Sequence, residues 1–203
     1  MAFAPNYATD LLHLRRWQKS DLILYVEEPG KVNDARDHDH LAAMRKGAAI
    51  WNPYTNGILN VRFTENPAEA DIRVTFVDKG SLPGGAIGRT EVTYRNRDNV
   101  IVSATVRVDR TLKSDLLAQV AAHEFGHAFG MEGHSVNRTD LMYARAHLPA
   151  AVTDRDANTL HLNYSLEAIR ADAKPAAQPT QTGIVRAGHG YTTAAACSLP
   201  GED

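Results

Sequence analysis

The sequence lacks several features that would fix a compartment or a charged partner. It contains a single cysteine, Cys197, so no internal disulfide can support the fold. Its longest apolar runs, such as 22–26 and 116–122, are far too short to cross a bilayer as a helix. The net charge of -2 at pH 7 gives no electrostatic reason to expect nucleic acid or an anionic membrane as a partner.

The composition is otherwise that of an ordinary globular domain. Hydrophobic residues make up 43% of the 203 residues and charged residues 23%. After about residue 166, Ala, Pro, Thr and Gly dominate and aromatic side chains become rare. We therefore divide the chain into a lead-in over 1–16, a domain over 17–166 and a flexible tail over 167–203.

Hydrophobic periodicity predicts strands and helices in a mixed order. A strand at 22–26 precedes a helix whose apolar residues are spaced helically from 41 to 51. Further strands are predicted at 58–63, 72–77 and 100–108, with a short edge strand at 86–90 in a glycine-rich stretch.

Two more helices are predicted in the second half of the domain. The helix at 115–129 is apolar on nearly all sides, so we expect it to be buried. The last helix should begin at Asp154, with Thr153 as its N-cap and Asp156 in the capping-box position.

The helix at 115–129 carries the most informative motif, His123-Glu124-Phe125-Gly126-His127. Histidines at i and i+4 share one helix face, so both imidazoles can reach one metal ion. Glu124 is rotated off that line and can reach a metal-bound water without ligating the metal. Gly130 permits a left-handed turn that ends the helix, after which His134 can supply a third nitrogen.

Three neutral nitrogens with an open fourth position are typical of a catalytic zinc site rather than a structural one. Zinc lowers the pKa of its water to roughly 7, and Glu124 would remove the proton as general base. The motif therefore predicts a zinc-dependent endopeptidase. The competing interpretation is a buried helix whose histidines bond to ordinary core partners.

These residues resemble the metzincin signature HExxHxxGxxH, and Asp140-Leu141-Met142-Tyr143 resembles the Met-turn, which would place Met142 below the metal. His134-Ser135 and the Met-Tyr pair resemble the matrixin branch, its bacterial members in particular. The resemblance covers about residues 17–165. It implies an α/β (α+β) metzincin-like catalytic domain: a twisted, mixed, mostly parallel sheet with one antiparallel edge strand, a backing helix, an active-site helix and a C-terminal helix.

The sequence departs from the family pattern at the third histidine. Family spacing puts that ligand at position 133, which here is Gly133, so the loop after Gly130 must bulge by one residue. We expect His134 to complete the site, and Glu132 is the alternative ligand.

Matrixins commonly carry a second zinc and calcium ions as well. Residues 78–90 contain no histidine, so we expect no second zinc of that kind. Asp78 with nearby loop carbonyls is a candidate calcium site, and a solvated turn is the alternative.

The resemblance also implies where a substrate lies. Metzincins pair an extended peptide with the edge strand above the active-site helix, which here is the stretch Gly85, Ala86, Ile87, Gly88 to Thr90. Tyr143 would wall the pocket for the side chain after the cut, or simply pack. We expect a protein or peptide substrate, a monomer, and a secreted or extracellular location, although no export signal opens this chain.

Two other functions stay open at this point. One is a zinc-containing peptide-binding module without turnover, although such a module has no need of Glu124. The other is a protease inhibited by its own C-terminal tail. A free thiol is the simpler interpretation of Cys197, and capping of the zinc by its thiolate is the alternative.

Overall fold

The computed structural model describes residues 6–8, 15–28, 37–55, 57–95, 97–149, 151–172 and 193–197. Strands dominate the first half of this part of the chain, and two of the three helices follow them. In order they are β1 (Arg16–Trp17), β2 (Asp21–Val26), α1 (Asp37–Thr55), β3 (Asn60–Thr64), β4 (Ile72–Val77), β5 (Gly88–Arg95), β6 (Val100–Asp109), α2 (Ser114–Ala128), α3 (Asp154–Asp172) and β7 (Thr193–Cys197).

The described strands form one mixed sheet. Its order is β3-β2-β4-β6-β5-β7, and β1 lies beside β6. Every pairing is parallel except those of β5, which runs antiparallel to both β6 and β7. The predicted fold class, a mixed and mostly parallel sheet with three helices, is confirmed. The antiparallel strand β5, predicted at the edge, lies one strand inside it, because β7 pairs with its outer side.

Helix α2 is the centre of the core, as its apolar composition predicts. Every residue from 117 to 128 is buried. Helix α1 backs it closely at Gly47, where a Cβ would lie 2.8 Å from the Ala118 carbonyl oxygen. The indole N–H of Trp51 donates to the Ala122 carbonyl at 2.7 Å and fixes the two helices in register.

Helix α3 begins with the predicted capping box. The Thr153 hydroxyl accepts from the Asp156 N–H at 3.2 Å, and the Asp156 carboxylate accepts from the Thr153 N–H at 2.9 Å. The helix has 19 residues, as has α1, and no helix in the described part of the chain is both long and apolar enough to cross a membrane.

The structure differs from the expected tail in two places. Helix α3 continues to Asp172, and Thr193–Cys197 forms β7 against β5. A strand can add to an open sheet edge through backbone groups alone, so a run of alanines gives no side-chain pattern that would predict it. Residues 173–192 and 198–203 lie outside the described residues, and the division into domains stays a prediction.

Candidate metal centre

The two histidines of α2 are each fixed by a backbone carbonyl. Nδ1 of His123 lies 2.8 Å from the Leu141 oxygen, and Nδ1 of His127 lies 2.6 Å from the Met131 oxygen. A carbonyl oxygen can only accept, so Nδ1 carries the proton in both rings. Each Nε2 of the neutral rings is therefore a bare lone pair, which is the form that binds metal.

These two bare nitrogens face each other. The Nε2 atoms of His123 and His127 are 3.1 Å apart. Adding a proton between them is unfavourable, because burial lowers the pKa of His123 to about 3 and that of His127 well below its ordinary value. Zinc bonds of 2.0–2.1 Å at tetrahedral angles would put two nitrogens about 3.3 Å apart, so the pair fits a shared cation.

His134 joins the same group. The ligand nitrogens of His123, His127 and His134 all lie within 4.8 Å of one another. The His134 ring stacks on His123 at 5.3 Å and meets His127 edge-on at 5.0 Å. Its Nε2 is buried without a hydrogen-bond partner, and burial lowers its pKa. The three residues fit a tetrahedral ion whose fourth position is open.

The loop between the second and third histidine absorbs one extra residue. Gly130 and Gly133 have φ angles of 107° and 104°, a left-handed region that favours glycine. At Gly130 a Cβ would also lie 1.9 Å from the Arg15 carbonyl oxygen. Glu132, the alternative ligand, is buried, forms an ion pair with Arg15 through one carboxylate oxygen, and is not part of the group of candidate metal ligands.

The turn after the histidines supports the centre from below. The sulfur of Met142 packs where a Cβ at Gly126 would be, only 2.3 Å from that position. The buried Asp156 carboxylate accepts from the N–H groups of Leu141 and Met142 at 2.8 and 3.2 Å. Since the Leu141 carbonyl holds His123, Asp156 helps to position this candidate ligand by fixing the backbone of Leu141.

Sequence reasoning predicted the cap made by Asp156 but missed its second role. The Tyr7 hydroxyl donates to the same carboxylate at 2.7 Å. Tyr7 lies in the lead-in, 149 positions away, and no local pattern connects the two residues.

Glu124 lies beside the histidines and is fully buried. The Thr90 hydroxyl donates to its Oε2 at 2.6 Å, while Oε1 is buried without a hydrogen-bond partner. Burial raises the pKa of Glu124 to about 8. A Cβ at Gly88 would lie 2.5 Å from Oε1, so only glycine leaves this space open. The contact with Thr90 was missed, although alternation along the edge strand puts positions 88 and 90 on one face.

The candidate substrate residues lie around the start of β5. Gly85 has a φ of 72° in the turn before the strand. Ala86, the next residue, is buried. The Ile87 N–H donates to the Cys197 carbonyl at 2.8 Å, and Gly88 is paired with Cys197 in the β5–β7 register. Tyr143 is half-buried and bridges to residue 135.

Calcium binding finds no support. Asp78 forms an ion pair with Arg110, and its side chain is 69% exposed. Within the described residues, the three histidines are the one group of three or more candidate metal ligands.

Comparison with known proteins decides the family. The sequence model of the matrixins matches residues 16–164. The chain belongs to the matrixin family. The hatching enzyme of Paracentrotus lividus is 29% identical to this matrixin over 133 residues, which are 63% of this chain and 22% of that protein. The chain thus spans less than a quarter of the length of this relative.

The match confirms the resemblance to matrixins that the histidine motif and the Met-turn carry. It includes the three histidines, Glu124 and Met142. Membership supports the zinc-dependent peptidase activity that is proposed below. The strand β7 lies outside the matched range.

Proposed function

We propose that this matrixin domain is an endopeptidase that hydrolyses internal peptide bonds of proteins with one zinc ion. The observation that carries the proposal is the pair of bare Nε2 atoms 3.1 Å apart, with His134 and the open oxygen of Glu124 beside them. An ordinary core does not leave buried lone pairs facing each other, because each uncompensated polar group costs about 1–3 kcal/mol.

His123, His127 and His134 would hold the ion, which when bound supplies a Lewis acid that activates water and polarises the scissile carbonyl. Glu124 takes the proton from the attacking water and delivers it to the leaving amine. Thr90 fixes one carboxylate oxygen at 2.6 Å, which leaves Oε1 to face the water.

A peptide substrate would lie extended along β5, antiparallel to it. The backbone of Ile87 and Gly88 already pairs with such a strand in β7. Backbone pairing gives affinity with little dependence on sequence, and pockets for side chains give selectivity. Gly85 and Ala86 form the rim at one end, and Tyr143 forms part of the wall below. The monomeric state and the extracellular location stay predictions.

The test is hydrolysis of a quenched fluorescent peptide library, with zinc assayed on the same samples. The wild type should hold about one zinc and cut. Glu124→Ala should keep the zinc and lose roughly 100-fold or more in turnover, the size expected for a lost general base. If both proteins hold zinc and neither cuts, either a peptide-binding module or a protease inhibited by its own tail accounts for the result. If removal of residues 193–203 then restores no turnover, the proposal fails.

A further inference from the structure

The open edge of the sheet above the metal centre is occupied by the chain's own C-terminal strand. Thr193–Cys197 runs antiparallel to β5, from Thr193 opposite Val92 to Cys197 opposite Gly88. This is the direction and the place proposed above for a peptide substrate. The strand also contacts α2, the helix that carries the histidines and Glu124.

The register of β5 shows which backbone groups meet β7. The Asp109 N–H donates at 2.9 Å to the carbonyl of Ile87, the residue just before β5, so this carbonyl is directed toward β6, although the Ile87 N–H bonds to Cys197. Because backbone polar groups alternate sides along a strand, those of Gly88, Thr90 and Val92 turn toward β7. Their partners are Cys197, Ala195 and Thr193. The N–H of Ala194 therefore faces away from β5.

Cys197 lies at the catalytic end of this strand. Its side chain is fully buried, and its thiol faces the Ala146 N–H rather than joining the histidine group. Its backbone N–H lies beside the Glu124 carboxylate, whose Oε1 would be 2.5 Å from a Cβ at Gly88, the residue opposite Cys197. Its carbonyl accepts from Ile87 at 2.8 Å. The nitrogen beside the general base thus belongs to the Ala196–Cys197 peptide bond.

That placement identifies a scissile bond. In the proposed reaction Glu124 delivers a proton to the leaving amine, so the nitrogen it contacts is the nitrogen that leaves. We propose that β7 is bound as a substrate in cis and that the enzyme cuts its own chain between Ala196 and Cys197. Until that cut, β7 blocks the cleft for other peptides. This inference rests on the proposed function.

The reaction needs only water as co-reactant. The C–N bond between Ala196 and Cys197 breaks, and a C–O bond forms at the Ala196 carbonyl carbon. The water proton passes through Glu124 to the Cys197 nitrogen. The products are a chain ending in the Ala196 carboxylate and a peptide of residues 197–203 with a free amine. The new charges and the lost covalent link favour release of the peptide.

The first test follows the intact mass of the full chain. The protein is purified with a chelator, zinc is added, and mass spectra are taken over time. We expect loss of residues 197–203 as one fragment, at a first-order rate that a tenfold dilution does not slow, because the substrate is in the same molecule. Hydrolysis of an added peptide should rise with the same time course. Glu124→Gln, loaded with zinc, should stay intact.

The second test needs neither zinc nor turnover. Alkylation of Cys197 in the chelated full chain reports whether β7 is docked. The wild-type thiol should be protected. Ala195→Pro removes a backbone N–H that pairs with β5 and should speed alkylation roughly tenfold. Ala194→Pro, whose N–H faces outward, is the matched control and should react like the wild type. Equal reactivity of the two proline variants would overturn the docking of β7.

The outcomes separate this inference from the proposed function. If the zinc-loaded wild type cuts an added peptide at full rate while its own chain stays intact, the inference fails and the peptidase stands. If the chain stays intact and only Ala195→Pro cuts the added peptide, β7 is an inhibitor, and the assignment of the scissile bond is overturned. If no variant cuts any peptide, the proposed function itself fails.

Discussion

At the scale of single residues, the metal centre depends on which side chain follows the bulged loop. His134 belongs to the group of candidate metal ligands, whereas Glu132 lies outside that group and is paired with Arg15. We expect His134→Ala to weaken zinc binding by at least about 100-fold, since even loss of an outer partner of a ligand costs roughly 10–100-fold. Zinc affinity is measured by competition with a chelating dye.

Glu132→Gln is the matched variant for this prediction. It removes the charge that faces Arg15 and should lower the stability of the fold while zinc affinity stays within about twofold of the wild type. A protein that loses zinc with Glu132→Gln and keeps it with His134→Ala would show that the carboxylate is the third ligand.

Gly130 has two separate reasons to be glycine. Its φ of 107° is strained for any other residue, and a Cβ would lie 1.9 Å from the Arg15 carbonyl. Gly130→Ala should therefore cost on the order of 3 kcal/mol in free energy of unfolding, measured by urea denaturation of the chelated protein.

Gly57 provides the control for this second prediction. Its φ is 78°, but no atom lies within 4 Å of a Cβ placed there. Gly57→Ala should cost only about 1 kcal/mol, the part due to backbone strain. Equal losses from the two substitutions would mean that the contact with Arg15 relaxes freely.

At the scale of elements, α3 is tied to the metal centre through its first turn. The buried carboxylate of Asp156 caps α3 and accepts from two N–H groups of the Met-turn, whose Leu141 carbonyl holds His123. Asp156→Asn should destabilise the fold by about 3 kcal/mol. The substitution replaces one carboxylate oxygen by an NH2 group, which would face N–H donors and could not accept their hydrogen bonds. Zinc affinity should fall roughly tenfold although no ligand is changed.

Asp154 offers a matched control in the same turn of α3. It is exposed and has the same residue type, so Asp154→Asn should leave zinc affinity unchanged and cost only a few tenths of a kcal/mol through the helix dipole. If the two variants bind zinc equally well, the Met-turn does not depend on α3 for its position.

Local patterns account for how much of these elements the sequence predicts. The buried helix α2, the cap at Thr153 and the glycines after the second histidine are all specified within a few positions along the chain. Two contacts join residues more than 100 positions apart. One is the hydrogen bond from the Tyr7 hydroxyl to Asp156, and the other is the ion pair of Arg15 with Glu132. A single sequence gives no signal for such pairs, because neither partner is unusual where it stands.

At the scale of the whole molecule, the sheet edge was the hardest part to predict. The glycine-rich stretch before a β-branched run predicts a short edge strand, and the resemblance to metzincins implies its antiparallel direction. Neither predicts that another strand of the chain pairs with it. The β7 strand pairs through its backbone, so its alanines could equally belong to a tail. The change of composition at residue 166 therefore gave no sign that a later segment contacts α2, the helix that carries the candidate metal ligands.

The most direct measurement of the central claim is removal and return of zinc during peptide hydrolysis. The wild type is incubated with zinc until its intact mass stops changing, chelated, and assayed on a fluorescent peptide while zinc is titrated back. We predict no turnover in the chelated protein and a linear recovery that ends at about one equivalent, because one three-histidine site holds one ion. Turnover that persists in the chelated protein would contradict the account. So would recovery of activity that does not end at about one equivalent of zinc.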